Sequence, residues 1–317
     1  MRIDGKQIAE RMIAELKMSF TPTQYLAAVW VGENAASESF LKQKEKTARE
    51  LGVEFQLVRF PETITTASLS AEVGVIGKDK KCGGIILQLP LPLAIDRDAV
   101  IRGIPLRKDV DSLSGKNEVL PPVVGVVGKI LVNEIAQPLF PNRVLPKIFR
   151  AVTSSREEAV GGEASSVSEG VASRGSRAAS AAGDEERSVL LGLKELHVGV
   201  IGRGFLTGAP IAKWLKGKAK ALSLVDKGDD FEPLKHADLV ISGTGVTGLI
   251  RPEMLKPGAI CIDFGYGMKD GHVLGDFDPS CDRICSVFTP TPGGTGPILV
   301  AQLFTNFYAL CEAHGRT

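Results

Sequence analysis

Several short segments of this chain place reactive or ligand-holding residue types at spacings suited to chemistry. In GRGFLTGAP, Gly202, Gly204 and Gly208 follow an apolar run and open a helical pattern. Glycines at such a junction let the backbone approach a pyrophosphate, while the helix start supplies oriented N–H donors. The spacing is one residue longer than the usual dinucleotide fingerprint, so a purely structural tight turn is the competing reading. Arg203, inside the turn, is placed to pair with a phosphate. Asp226 and Lys227 lie just past the next apolar run, where an adenosine ribose is usually read. An aspartate there suits a free 2′-hydroxyl, whereas Lys227 with Arg203 suits a 2′-phosphate. The two signals oppose each other.

A second set of polar residues sits in the first third of the chain. Leu41, Ala48 and Leu51 form an apolar helical stripe, and the 3-4-3 spacing puts Lys44 in it, four residues after Phe40. A lysine on an inward face snorkels, pairs, or carries a lowered pKa and a task. In IILQLPLP, Gln88 comes at the carboxyl end of an apolar strand, where α/β sheets present ligand groups; a structural amide is the commoner outcome. LRKDVDS then offers Asp109 and Asp111 on a turn, one of them expected only to cap it. Finally TPTPGGTGP, residues 289–297, packs three prolines and three glycines into nine positions. Such a loop is rigid and lays bare backbone groups against a partner.

The elements that must position these residues alternate. A helix is expected over about 4–18, a strand at 25–31, a helix at 37–51 stopped by Gly52, a strand at 55–60, a helix near 66–78 and a strand at 84–89 ended by Pro90 and Pro92. Order of the same kind returns at Leu190, with strands at 197–201, 221–225, 239–242, 259–263 and 284–288 and a last helix over about 297–313. Alternation of this sort predicts parallel α/β sheets, the second with the rhythm of a nucleotide-binding domain.

Between the halves, residues 151–187 are rich in Ser, Ala, Gly and Glu and hold no aromatic residue, Leu, Ile or Met. Too little apolar surface is available there to offset the entropy of ordering, which predicts a flexible insert. With 317 residues, 44% hydrophobic, 24% charged and a net charge of +1, the chain has the balance of a two-domain globular protein. That charge gives no electrostatic case for nucleic acid or an anionic membrane. No apolar run is long enough for a membrane helix, and the charged, amphipathic start reads as a first helix rather than a secretory leader. The five cysteines, Cys82, Cys261, Cys281, Cys285 and Cys311, lack a second pair or a neighbouring histidine to complete a zinc set. They are expected to be thiols, with no metal, in a reducing cytoplasmic compartment.

Taken together, VGENAASESFLKQKEKTARELGV, GGIILQLPLP, KDVDS, GRGFLTGAP, KPGAICIDFGYG, GDFDP and TPTPGGTGP resemble, in content and order, the bifunctional methylenetetrahydrofolate dehydrogenase/methenyltetrahydrofolate cyclohydrolase family. The resemblance covers roughly 1–131 and 190–317. It implies a folate-side catalytic domain over 1–135 completed by 297–317, a Rossmann-type NAD(P)-binding domain over 190–296, and an unmatched region at 136–189. It places the family's catalytic lysine on Lys44, its partner glutamine on Gln88 and the pterin-holding aspartate on Asp111. Folate contacts fall on Phe40, Leu87 and Leu89 and on Pro292, Gly293, Gly294, Gly296 and Pro297. The cofactor positions fall on Gly202, Arg203, Gly204, Asp226 and Lys227, with a nicotinamide-side backbone position on Tyr266.

Four departures from the family pattern stand out. Phe40 replaces a tyrosine, Gly204 a serine, Asp226-Lys227 a His-Ser pair, and PPVVG at 121–125 a Pro-Cys-Thr-Pro stretch. The implied activity is oxidation of methylenetetrahydrofolate with NADP, NAD being the alternative, followed by hydrolysis of the methenyl product, in a homodimer. Lys44 would then carry a lowered pKa and manage the proton of the attacking water. Two other readings compete: a different nicotinamide-dependent dehydrogenase, and a catalytically impaired folate- or nucleotide-binding paralogue.

Overall fold

The computed structural model describes residues 1–116, 118–131, 192–269 and 271–314. The region 136–189, with its insert at 151–187, lies outside the described residues.

In the first half, α1 (Gly5–Lys17) is started by Asp4, whose carboxylate accepts the Gln7 N–H. Then follow β1 (Tyr25–Val31), α2 (Ala35–Leu51), β2 (Phe55–Phe60), α3 (Thr66–Lys78) and β3 (Cys82–Leu87). Asn34 caps α2 by accepting the Ser37 N–H, and Gly52 ends it in the left-handed region at φ 70°, where a side chain would be strained. The strands pair in parallel in the order β2-β1-β3, so β1 is buried along its whole length. Strand β3 runs 82–87 rather than 84–89; Gln88 still bonds across to β1, its N–H donating to the Val29 carbonyl.

Two helices were not expected from the sequence. Asp96 caps a short α4 (Arg97–Arg102). PPVVG enters α5 (Pro122–Ile130), with Pro122 at the first helical position, where its missing N–H costs nothing. The apolar run of α5 is buried on nearly every side.

The second half is a five-stranded parallel sheet ordered β10-β7-β6-β4-β5, built from β4 (His197–Ile201), β5 (Ala221–Val225), β6 (Leu239–Ser242), β7 (Ile260–Asp263) and β10 (Val287–Phe288). Helix α6 (Gly208–Leu215) joins β4 to β5. Strand order reverses at β4, which has β5 on one side and β6 on the other, and the carboxyl ends at such a reversal are where α/β sheets place a ligand crevice. A hairpin of β8 (Gly267–Lys269) and β9 (His272–Leu274) was missed from the sequence, although the DG of MKDGHV is a hairpin signal. The strand expected at 284–288 shrinks to two residues, because a 3-10 turn over Pro279–Arg283 occupies its approach.

Helix α7 (Thr295–His314) returns to the first half and packs on α1, α2, α5 and β3. It is largely apolar around its circumference, as a mostly enclosed helix is, with Gln302 and Asn306 as buried polar exceptions. Phe304 and Phe307 are fully buried in a core that runs without interruption from Ile8 and Met12 of α1 to Val198 and Ile241 of the second sheet. Among the described residues no helix is long and apolar enough to cross a membrane.

Candidate functional site

Helix α2 and strand β3 bring Lys44 and Gln88 together. The Lys44 Nζ donates to Gln88 Oε1 at 3.1 Å. Gln88 is 8% exposed, and its Nε2 donates to the Leu89 carbonyl at 2.9 Å, which fixes the amide with its oxygen towards the lysine. Leu41, Ala48 and Leu51 are buried beside the half-buried Lys44, as the stripe requires. Removal from water pulls the Lys44 pKa below the ordinary lysine value, and the negative charge of Asp111 opposes that pull. Burial pushes Asp111 up to about 6; Lys44 draws it down and Asp109 adds to the rise.

The two aspartates of KDVDS divide their work. Asp109, fully buried, accepts the N–H groups of Leu113 and Ser114 and so forms the turn. Asp111 lies on that turn and is electrostatically coupled to Lys44. Asn306 of α7 holds the same turn from behind: its Nδ2 donates to the carbonyls of Val110 and Leu120, both at 2.9 Å. Asn306 was not singled out in the sequence, and no local pattern marks it, since its partners lie nearly two hundred residues away.

The proline- and glycine-rich loop is tied at both ends to Asp263. The Asp263 N–H donates to Thr289 Oγ1 at 2.6 Å, and Thr295 Oγ1 donates to the Asp263 carbonyl at 2.5 Å. Gly293 takes φ 96°, and its carbonyl accepts the Gly5 N–H at 2.9 Å, so the loop abuts the start of α1. Gly294 is buried, Gly296 and Pro297 are half-buried in the first turn of α7, and Pro292 is exposed. Leu87 is buried and Leu89 half-buried, both packed in the cluster that contains Val29 and Ile85. From the other half, the Tyr266 ring reaches Phe40, with centroids 5.1 Å apart.

At the crevice, Gly202 takes φ 90° and a Cβ on Gly208 would overlap the Gly202 carbonyl. Glycine is therefore required at both positions, and the turn fits a pyrophosphate cradle. A neighbouring turn, Gly243-Thr244-Gly245, closes over it; a Cβ on Gly243 would meet Thr207. This second glycine turn, legible as SGTG after an apolar run, went unnoticed in the sequence. Gly204 and Arg203 are exposed, but Arg203 is engaged: its Nη2 pairs with Asp229 at 3.4 Å. The Asp226 carboxylate accepts the Lys227 N–H at 2.8 Å, and the Asp226 N–H donates to Asp229. Asp229, absent from the sequence reading, thus organises the region where a ribose would be read. Phe205 of the turn packs against the first half, with the Arg97 guanidinium 3.7 Å from its ring centre.

Comparison with known proteins matches both halves to one family. Residues 3–111 match the tetrahydrofolate dehydrogenase/cyclohydrolase catalytic domain, and residues 187–315 match the NAD(P)-binding domain of the same name. The bifunctional protein FolD of Lacticaseibacillus paracasei is 31% identical, over 98% of this chain and 97% of its own. That of an Exiguobacterium species is 30% identical over 96% of each. Among solved structures, the Campylobacter jejuni FolD methylenetetrahydrofolate dehydrogenase/cyclohydrolase has a TM-score of 0.74 at 25% identity, covering 99% of both chains. The Trypanosoma brucei methylenetetrahydrofolate dehydrogenase-cyclohydrolase, complexed with NADP cofactor and inhibitor, has a TM-score of 0.75 at 22% identity, covering 100% of this chain and 99% of its own. The latter likeness is one of fold.

Proposed function

The chain belongs to the tetrahydrofolate dehydrogenase/cyclohydrolase family, and from that premise we propose that it oxidises methylenetetrahydrofolate to methenyltetrahydrofolate and hydrolyses the product to formyltetrahydrofolate. The observation that carries this reading is Lys44, partly withdrawn from water, bonded to Gln88 and coupled to Asp111. A dehydrogenase with chemistry only in its cofactor domain has no use for that set.

When bound, the nicotinamide cofactor accepts the hydride from the folate methylene carbon. Gly202, whose own N–H is donated to the Val225 carbonyl, would let the backbone approach its diphosphate, and Gly204 with the start of α6 would hold it through backbone N–H groups. Arg203 and Lys227 favour NADP by offering cations to a 2′-phosphate, although Asp226 and Asp229 act against it. On the folate side, Asp111 grips the pterin edge as a hydrogen-bond acceptor. Phe40, Leu87, Leu89 and the loop from Pro292 to Pro297 enclose the ring system, and the backbone at Tyr266 faces the nicotinamide. Positioning supplies most of the acceleration of hydride transfer. For the second step, the lowered pKa of Lys44 lets it take a proton from the attacking water and return it near neutral pH. Gln88 keeps the amine aimed. Domain limits of 1–135 with 297–317, and 190–296, follow from the same assignment, as do a homodimer and a cytoplasmic setting; nothing in the charge favours nucleic acid as a partner.

The direct test supplies purified protein with methylenetetrahydrofolate and NADP and follows absorbance of reduced nicotinamide and of methenylfolate. Reduced nicotinamide with little standing methenylfolate is the expected result. Absence of reduction with either NADP or NAD would sink the proposal, and reduction with stoichiometric methenylfolate would remove its hydrolytic half.

A further inference from the structure

Five cysteines are free thiols, and two of them meet: Cys285 Sγ lies 3.1 Å from Cys261 Sγ. Cys261 is fully buried in β7, between Val240 of β6 and Phe288 of β10. Cys285 is half-buried and lies outside any strand, between the 3-10 turn and β10. The two segments run along one parallel ladder, in which Cys261 is paired with Phe288 and Cys285 comes three residues earlier. The Gly258 N–H donates to the Ile284 carbonyl at 2.7 Å, and the Ser286 N–H donates to the Ala259 carbonyl at 3.0 Å. Reaching a disulfide length of about 2.05 Å asks the sulfurs to close by about 1 Å. Neither residue belongs to the folate or cofactor machinery described above.

We propose that Cys285 and Cys261 form a reversible oxidation site for peroxides, with Cys285 the reacting thiol and Cys261 the resolving one. The Cys285 thiolate attacks one peroxide oxygen, the O–O bond breaks, and the departing hydroxide takes up a proton as water. Cys285 is left as a sulfenic acid. The Cys261 sulfur then attacks the Cys285 sulfur, the S–O bond breaks, and hydroxide leaves with the Cys261 proton as a second water. In sum two thiols and one hydrogen peroxide give one disulfide and two waters; the sulfurs lose two electrons and the peroxide gains two.

The division of roles follows from environment. Thiolate character and access select the reacting thiol. Hydrogen bonding with Cys261 pulls Cys285 below the ordinary thiol value, against burial and the charge of Asp282, and the nearby amino terminus helps. Cys261 is held far above it, by that hydrogen bond and by burial. Cys281 is the natural competitor, yet it is fully buried, its Sγ faces the Ile250 carbonyl at 3.4 Å, and burial pushes it up to about 12. A disulfide would tie β7, which ends at Asp263, to the segment that feeds the loop at 289–297.

The test treats the full-length protein with hydrogen peroxide, counts free thiols, and maps peptides without reduction. Wild type should fall from five thiols to three, show a Cys261–Cys285 linked peptide, and recover all five with dithiothreitol. In Cys261→Ser the sulfenic acid has no resolving thiol, so a dimedone adduct should appear on Cys285 that wild type lacks. The proposal is overturned if wild type retains five thiols, if Cys285 pairs with Cys281, or if Cys285 proceeds to sulfinic acid while Cys261 stays reduced.

Discussion

The rings of Phe40 and Tyr266 stand 5.1 Å apart, inclined at 59°, and join α2 of the first half to the turn after β7 in the second. Phe40 lies one helical turn before Lys44, and Tyr266 lies three residues beyond Asp263, which anchors the loop at 289–297. This aromatic contact is one of those that join the helix of Lys44 to the second half. Phe40→Tyr keeps the ring and adds a hydroxyl within reach of the lysine's helix face. Hydride transfer should be unchanged and hydrolysis equal or faster, measured as the standing level of methenylfolate at fixed turnover. A slower hydrolytic step would mean that the phenyl ring is itself preferred.

Replacement of the lysine should separate the two activities. Hydride transfer needs alignment but no obligatory side-chain base, whereas attack by water needs a proton acceptor. Lys44→Met should cut hydrolysis by roughly 10²- to 10⁴-fold, the usual loss for a general acid–base group, while oxidation falls less and methenylfolate accumulates. Parallel loss of both activities at unchanged folate affinity would refute this division of labour.

Acid should act through Asp111. Burial pushes its carboxyl up to about 6, so below that pH the group is neutral and, in the proposed contact, would no longer be a full acceptor for the pterin. KM for the folate should climb as pH drops through about 6, and Asp111→Asn should start high and show a flatter profile. The sign for stability is the reverse. A folded pKa raised above the ordinary value of 3.8 means that the folded state holds its proton longer, so stability declines as pH rises from about 4 to about 6. Asp263, raised to about 7 by burial and by Asp276, extends the same trend. Urea titrations across this range, on wild type and Asp111→Asn, would expose the difference in slope.

Asn306 should behave as a positioning residue. Asn306→Leu leaves the carbonyls of Val110 and Leu120 without their donor in a buried place, at a cost of about 1–3 kcal/mol for each unsatisfied group. The thermal midpoint should fall, and because Asp111 is next to Val110, KM for folate should rise more than kcat drops. A variant that loses stability with KM intact would show that the turn holds its shape without α7.

Cofactor choice should respond to Asp229. The Arg203–Asp229 pair is exposed, so breaking it changes stability by no more than about 1 kcal/mol. Asp229→Asn loosens the hold on the guanidinium, which keeps its contact with the Leu224 carbonyl, and removes a negative charge from the ribose region. kcat/KM with NADP should rise while that with NAD stays level. An equal change with both cofactors would place Arg203 away from the 2′ position.

Local periodicity in the amino-acid sequence was enough to determine the βαβ alternation, the inward placement of Lys44 on its helix, the strand-end position of Gln88 and the glycine turn at 202–208. Each of these depends on neighbours within about one or two turns of chain, and spacings of 3.6 and 2 record such neighbours directly. Only the tertiary structure decided which groups meet. Lys44 reaches Gln88 because the fold packs α2 against the sheet that ends in Gln88. Asp109 rather than Asp111 became the turn former because the N–H groups of Leu113 and Ser114 fold back onto it. Arg203 is paired because the chain past β5 returns Asp229 to it, and the Asp111 turn is held by a helix from the far end of the chain. Such partners are set by strand order and helix packing, and no spacing along the chain encodes them.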